Sequence, residues 1–392
     1  MEPNIYLSQI KITFVLGKKY KCVKMFIFLA YLFIRMNDIE INDIRSEKDF
    51  KGITFSEFKK TDVKKELIKN LYNAKIEPAC FWSAEMICAG HYSDLWDTII
   101  GFYTKHIHIG NPKLITYLEL RIKNFKDIVS NGYRDQEIRL RNNEKMRKLF
   151  CEVMCVLCDA RKKLCYAEVK VKKEDFDSTQ MTERCKAPNV KYADDIFLKE
   201  DPKELFIAAN ELAYNLTEEC KNSVSACYWM EWIIEFETIC KQKGEKFKCE
   251  RREFAMVESK CQMDIVWIIW DIFLTESNKR SNLVQRIIHS ALNIFCLRYR
   301  SGCHKKRRLL MYFVIEVFTE PYALEEEIVR DKTKITTIAQ NINKIYKQIK
   351  KNEHSPGTDY LYQNLKASNL EKTIAKLETM NNLGAEYIPR ID

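Results

Sequence analysis

Pro78-Ala79-Cys80-Phe81-Trp82-Ser83-Ala84-Glu85-Met86-Ile87-Cys88-Ala89-Gly90 is the stretch on which the reading of the fold turns. Proline suits a first helical turn, where its missing N–H is not needed, and glycine suits the residue just past a helix end. The run between them is therefore one helix. Its opening words return: Ala79-Cys80-Phe81-Trp82 recurs as Ala226-Cys227-Tyr228-Trp229, 147 residues on. Phe150-Cys151 with Cys158 recurs as Phe295-Cys296 with Cys303, 145 residues on, and Lys65-Glu66-Leu67 is echoed by Lys203-Glu204-Leu205 at an offset of 138. Ordered matches at nearly constant offset are the mark of an internal repeat. The expected architecture is all-α: two duplicated multi-helix halves packed as a helical repeat or bundle, followed by a C-terminal heptad helix and helical hairpin. The expected divisions are an N-terminal extension at 1–35, a first helical half at 36–165, a linker at 166–194, a second half at 195–318 and a helical tail at 319–392.

Composition points the same way. Only 10 Gly and 8 Pro stand among 392 residues, so helix breakers are scarce. With glycines this sparse, GxGxxG, GxxxxGK[ST] and the GxSxG elbow cannot be written, and HExxH is absent, which excludes the common phosphate cradles and those hydrolase signatures. Fifteen Cys, an odd number placed mostly in apolar helical stretches, fit a reducing compartment better than a disulfide framework. The net charge of +10 permits contact with nucleic acid without requiring it. Near the N-terminus, Lys18, Lys19, Lys21 and Lys24 precede an apolar run at 25–34. That run is too short for a membrane span, which needs about 20 residues, and Met36 is the expected start of the working protein, with 1–35 an upstream extension.

Within the halves, Asn111 before Pro112 is expected to cap a helix ending near Gly132, and Asp201-Pro202-Lys203-Glu204 has capping-box form. The segment 262–274, with Trp267 and Trp270, reads as a helix buried on most sides. In the tail, Leu324, Ile328, Ile335, Ile338, Ile342, Ile345 and Ile349 mark a heptad seam, with Asp331 at the missing position. The seam has two uses: docking within the chain, or self-association through Ile335, Ile338, Ile342, Ile345 and Ile349 to give a homo-oligomer. A second tail helix is expected behind the capping box of Ser368 and Glu371.

Cys151, Cys155 and Cys158 spell CxxxCxxC, a spacing that holds iron–sulfur clusters when it lies in a loop. Here Met146, Leu149, Phe150, Val153 and Leu157 mark a continuous helix, along which Cys151 and Cys158 stand about 10.5 Å apart. The cysteines are expected to pack, and no metal, cofactor or catalytic residue is assigned. His91, His106, His108 and Asn111 are candidates for a helix junction or partner contact. Arg161, Lys162 and Lys163 end one helix and Lys305, Lys306, Arg307 and Arg308 repeat that ending. They are either solvated helix ends favoured by the dipole or matched patches for DNA or RNA phosphates.

The words Ala79-Cys80-Phe81-Trp82-Ser83-Ala84-Glu85, Cys88-Ala89-Gly90-His91, His106-Ile107-His108-Ile109-Gly110-Asn111-Pro112-Lys113-Leu114 and Cys249-Glu250-Arg251-Arg252 resemble an uncharacterised family of nucleocytoplasmic large DNA viruses, the giant viruses of protists. The likeness runs from about 51 to 318. It implies a host-cytoplasmic viral factory or the virion as the setting, with viral proteins as partners. A shorter likeness, at Ala79, Phe81-Trp82, Ala84, Met86, Ala89-Gly90 and Gly110-Asn111-Pro112, is to the helical C-terminal domain of clamp-loader-related recombination-factor ATPases, without their ATPase core. The expectation is a non-enzymatic interaction or scaffold protein of virion assembly or the viral factory, or else a nucleic-acid-binding accessory of viral replication or transcription.

Overall fold

The computed structural model describes residues 39–133, 136–165, 169–245, 247–325 and 327–354. The expected 1–35 extension and the helix after Ser368 lie outside them. Thirteen α-helices and no sheet are found among the described residues; an isolated bridge joins Ile53 and Lys59. The first five helices are α1 (Lys60–Tyr72), α2 (Ile76–Cys88), α3 (Tyr92–Phe102), α4 (Leu114–Ser130) and α5 (Glu144–Asp159). A short α6 (Ser178–Arg184) precedes α7 (Phe206–Leu216), α8 (Ser223–Gln242), α9 (Val266–Ser277), α10 (Asn282–Phe295) and α11 (Arg308–Thr319). The tail adds α12 (Lys332–Asn341) and α13 (Asn343–Lys350).

The helices form where apolar spacing and breakers place them. α2 contains Pro78 in its first turn and closes before Gly90, whose φ of +78° is cheap only for glycine. α5 buries Leu149, Phe150, Val153 and Leu157 together with Cys151, Cys155 and Cys158, so it packs on both sides: α1, α2, α4 and α12 all touch it. One apolar core runs through both halves, with α4 against α10 and the turn after α3 against α11. The 166–194 linker is strapped to the second half: Trp232 Nε1 donates to the Asp175 carbonyl, and the Lys186 and Ala187 amides donate to the Glu211 carboxylate.

The structure does not show the duplication. Ala79 and Ala226 fall on the second helix of each set of five, but Phe150 lies in mid-helix on the fifth while Phe295 ends the fourth. Lys65 is inside α1, whereas Lys203–Leu205 is a 3-10 turn before α7. The echoed words are spaced alike in sequence but do not stand at equivalent places.

Two caps are also corrected. The Asn111 side chain does not cap α4; its Oδ1 is buried without a partner. Asp201 accepts from the Leu198 and Glu250 amides and from Arg252, so its carboxylate serves a tertiary ion pair instead of a capping box. The helix expected from 262 starts at Val266, because the Gln262 and Met263 carbonyls are taken by the Arg252 and Cys249 amides.

The tail settles on the body. Its seam is interrupted where α12 gives way to α13, and Ile342 and Ile349 are 3% and 1% exposed. Ile335, Ile338 and Ile345 pack partly buried on the same core, with α12 on α5 and α13 on α2. Arg147 lies 4.1 Å over the Tyr346 ring, and the Ile44 amide donates to the His354 carbonyl. The seam thus docks within the chain, with Ile342 and Ile349 fully buried and Ile335, Ile338 and Ile345 partly so. No helix among the described residues is long and apolar enough to cross a membrane.

Candidate nucleic-acid interface

Three of the seven basic residues singled out in sequence, Lys162, Arg307 and Arg308, act on the protein itself. Lys162 Nζ donates to the Leu157 and Cys158 carbonyls at the end of α5, at 3.0 and 2.5 Å, and burial lowers the pKa of its ammonium. Arg307 donates to the Phe295 and Leu297 carbonyls at the end of α10. Each matched cluster thus supplies one cation to the negative end of the preceding helix. Arg308 Nε stands 3.2 Å from Glu231 Oε1. Arg141 and Arg147 are buried and spend their guanidinium donors on carbonyls and on Asn142 and Asn343. Arg161, Lys163 and Lys305 are exposed.

Lys306 differs, because it lines a cleft of about 610 Å³ between α3 and α4 on one side and the α10–α11 connection on the other. Lys126, Arg298 and Arg300 line it too, and all four cations are exposed. None of their side chains has an ion-pair or hydrogen-bond partner among the described residues. Asp97 is the one carboxylate in the lining. The local chain explains the aim of the two arginines. Between them Tyr299 is buried, its ring 4.9 Å from that of Trp267 and its hydroxyl donating to Asp264 Oδ2 at 3.0 Å. Anchoring Tyr299 leaves its neighbours outside, and Arg298 takes φ +50°, a left-handed turn that a non-glycine residue seldom adopts. Trp96 and Phe125 also line the cleft, with ring centroids 5.9 Å apart, and the buried Trp96 Nε1 has no partner.

The histidines are dispersed. His91 Nε2 bonds the Ile53 carbonyl at 2.7 Å, and burial lowers its pKa. His106 meets Tyr72 edge-on and Phe102 at a tilt, its pKa lowered by burial and by Lys105. His108 is wholly buried against α11. The cysteine stripe is split as helical geometry requires: Cys151 and Cys155, one turn apart, meet Cys80 from α2, with Cys80 and Cys151 sulfurs 3.9 Å apart, while Cys158 stands aside. Hydrogen bonds from Cys151 and Cys80 pull the Cys155 thiol down, and sharing a buried site pushes Cys80 and Cys151 up. Burial pushes Cys158 up to about 12.

Sequence reasoning found Lys306 but missed Lys126, Arg298, Arg300 and Trp96. Arg298 and Arg300 lie just upstream of the counted basic cluster and were legible as charge. Lys126 and Trp96 come from the other half, and only the packing of α4 on α10 brings them across. Comparison with protein-family models, with curated proteins and with solved structures finds no match.

Proposed function

We propose that this chain is a non-enzymatic helical binding protein that holds single-stranded nucleic acid in the cleft between its halves, as an accessory of replication or transcription in the factory of a large DNA virus. The observation that carries the reading is the lining: four unpartnered exposed cations over an apolar floor, with a single carboxylate among them. Cations neutralise phosphates whatever the sequence of the strand, and Trp96 and Phe125, largely buried, form the apolar floor beneath them. The viral setting rests on the resemblance of the Ala79–Glu85 and His106–Leu114 words. A scaffold role in that setting would need a surface other than the isoleucine seam.

Binding of labelled single strands is measured by fluorescence anisotropy across a salt series. If up to four phosphates are neutralised, log K should fall against log salt with a slope of about −3. The triple change Arg298→Ala, Arg300→Ala, Lys306→Ala should flatten that slope and weaken binding at least tenfold. No binding at low salt, or a triple variant that binds as the parent does, overturns the proposal.

A further inference from the structure

His108 closes a tight junction. A π-turn at Tyr103–Ile107 leads into it, and its own backbone has φ +50° and ψ −134°, a strained conformation for a residue with a side chain. π-turns and strained non-glycine residues both gather at functional sites, because surrounding structure must hold them there for a reason. The loop after α5 is laid alongside: the Lys163 amide donates to the His106 carbonyl at 2.9 Å and the Cys165 amide to the Lys105 carbonyl at 3.1 Å. Gly110 permits that approach, since a Cβ there would stand 2.7 Å from the Arg161 carbonyl oxygen. Three chemistries are thereby gathered: an imidazole from the turn, a thiol from the loop and the Glu316 carboxylate from α11.

The ligand atoms of His108, Cys165 and Glu316 all lie within 4.8 Å of one another. His108 Nδ1 and Glu316 Oε2 are 2.7 Å apart, yet the contact is not aligned as a hydrogen bond, and His108 Nε2 and Glu316 Oε1 have no partner either. His108 and Glu316 are 0% and 2% exposed, so no bulk water serves them. Burying an imidazole and a carboxylate with unused polar atoms is costly unless something else satisfies them. Cys165 is half-buried and gives the cluster a route to solvent. Cys227 lies beside it.

We propose that His108, Cys165 and Glu316 form a binding site for one divalent zinc-type cation, with a fourth position left to water. Nitrogen, sulfur and carboxylate oxygen together select a borderline metal over magnesium or calcium, which take oxygen sets. Around a tetrahedral ion at roughly 2.0–2.3 Å the ligands stand roughly 3.3–3.8 Å apart. The His108–Glu316 contact opens slightly and Cys165, on its loop, moves inward. Binding converts the Cys165 thiol to thiolate and releases its proton to solvent. The ion would pin the post-α5 loop and the α3–α4 junction of the first half to α11 of the second.

The test uses the full chain, stripped with a chelator and titrated with Zn2+ or Co2+ alone. One equivalent should bind, with a cobalt–thiolate charge-transfer band, and thermal unfolding should move up on zinc addition. Cys165→Ser, nearly isosteric and on a half-exposed loop, and His108→Gln should each weaken binding at least tenfold and remove the zinc-dependent shift. Cys80→Ser and Cys151→Ser should leave both intact. A parent chain that takes up no stoichiometric metal overturns the proposal, as does a charge-transfer band that persists in Cys165→Ser or disappears in Cys80→Ser.

Discussion

Replacing Arg252 by methionine tests the second half where its polar wiring is densest. Arg252 is 3% exposed and reaches Asp201 through two nitrogens, at 2.6 and 3.2 Å, and Asp271 through a third at 2.7 Å. It also donates to the Glu250 and Ile196 carbonyls. Removing one partner of a buried ion pair generally costs about 3–5 kcal/mol, because the opposite charge is left without compensation. Here the local details favour the lower end. Asp201 keeps the Leu198 and Glu250 amides, both at 2.8 Å. Asp271 has 24% of its side chain exposed, so water can reach it. About 3 kcal/mol is the expected loss for Arg252→Met, read from the shift in urea midpoint at constant slope. Combined with Asp201→Asn, the loss should fall short of the sum of the two single losses by about 1 kcal/mol or more, the sign of a coupled pair. A loss below about 1 kcal/mol, or strictly additive effects, would refute the claim that this pair holds the 249–252 segment to the turn before α7.

Gly110→Ala should cost about 1–3 kcal/mol, the worth of two backbone hydrogen bonds, by pushing the 161–165 loop away; amide exchange at Lys163 and Cys165 should accelerate, and unchanged protection there sinks the idea. His304 is buried and its pKa is lowered to about 4, chiefly by burial and then by Lys241, Lys305 and Arg308. The group stays neutral when folded, so its stabilising share is complete above the unfolded pKa of about 6.5 and is lost as pH falls toward 4, by about 3 kcal/mol. His304→Asn should flatten that part of the stability curve, and a parallel curve contradicts it. Tyr346→Ala should cost about 3–5 kcal/mol, as for other large buried aromatics, and Ile342→Asp should destabilise the chain without changing its mass in sedimentation. A concentration-dependent oligomer that Ile342→Asp dissolves would restore the self-association reading.

The helical class was written in the breakers and in periodic apolar positions, both local properties. Pro78 and Gly90 bracket α2 because proline and glycine restrict or free the backbone wherever they stand. The two-sided burial of α5 was legible too, since Cys151, Cys155 and Cys158 face away from its aliphatic stripe. Capping at Asp201 was misread because a short polar side chain can serve either its own turn or a distant one. For Asp201 the distant partner, Arg252, offers a full charge.

Sequence alone determined that this protein is helical, that it lacks a glycine phosphate cradle, and that each basic cluster follows a helix end. Only the tertiary structure decided which cations are free, and that Trp96 and Phe125 share a cleft with Arg298 and Arg300. It also decided where the isoleucine seam is spent, and that His108 meets Cys165 and Glu316. These pairings join residues far apart in the chain, and sequence periodicity carries no information about which faces will meet across the core.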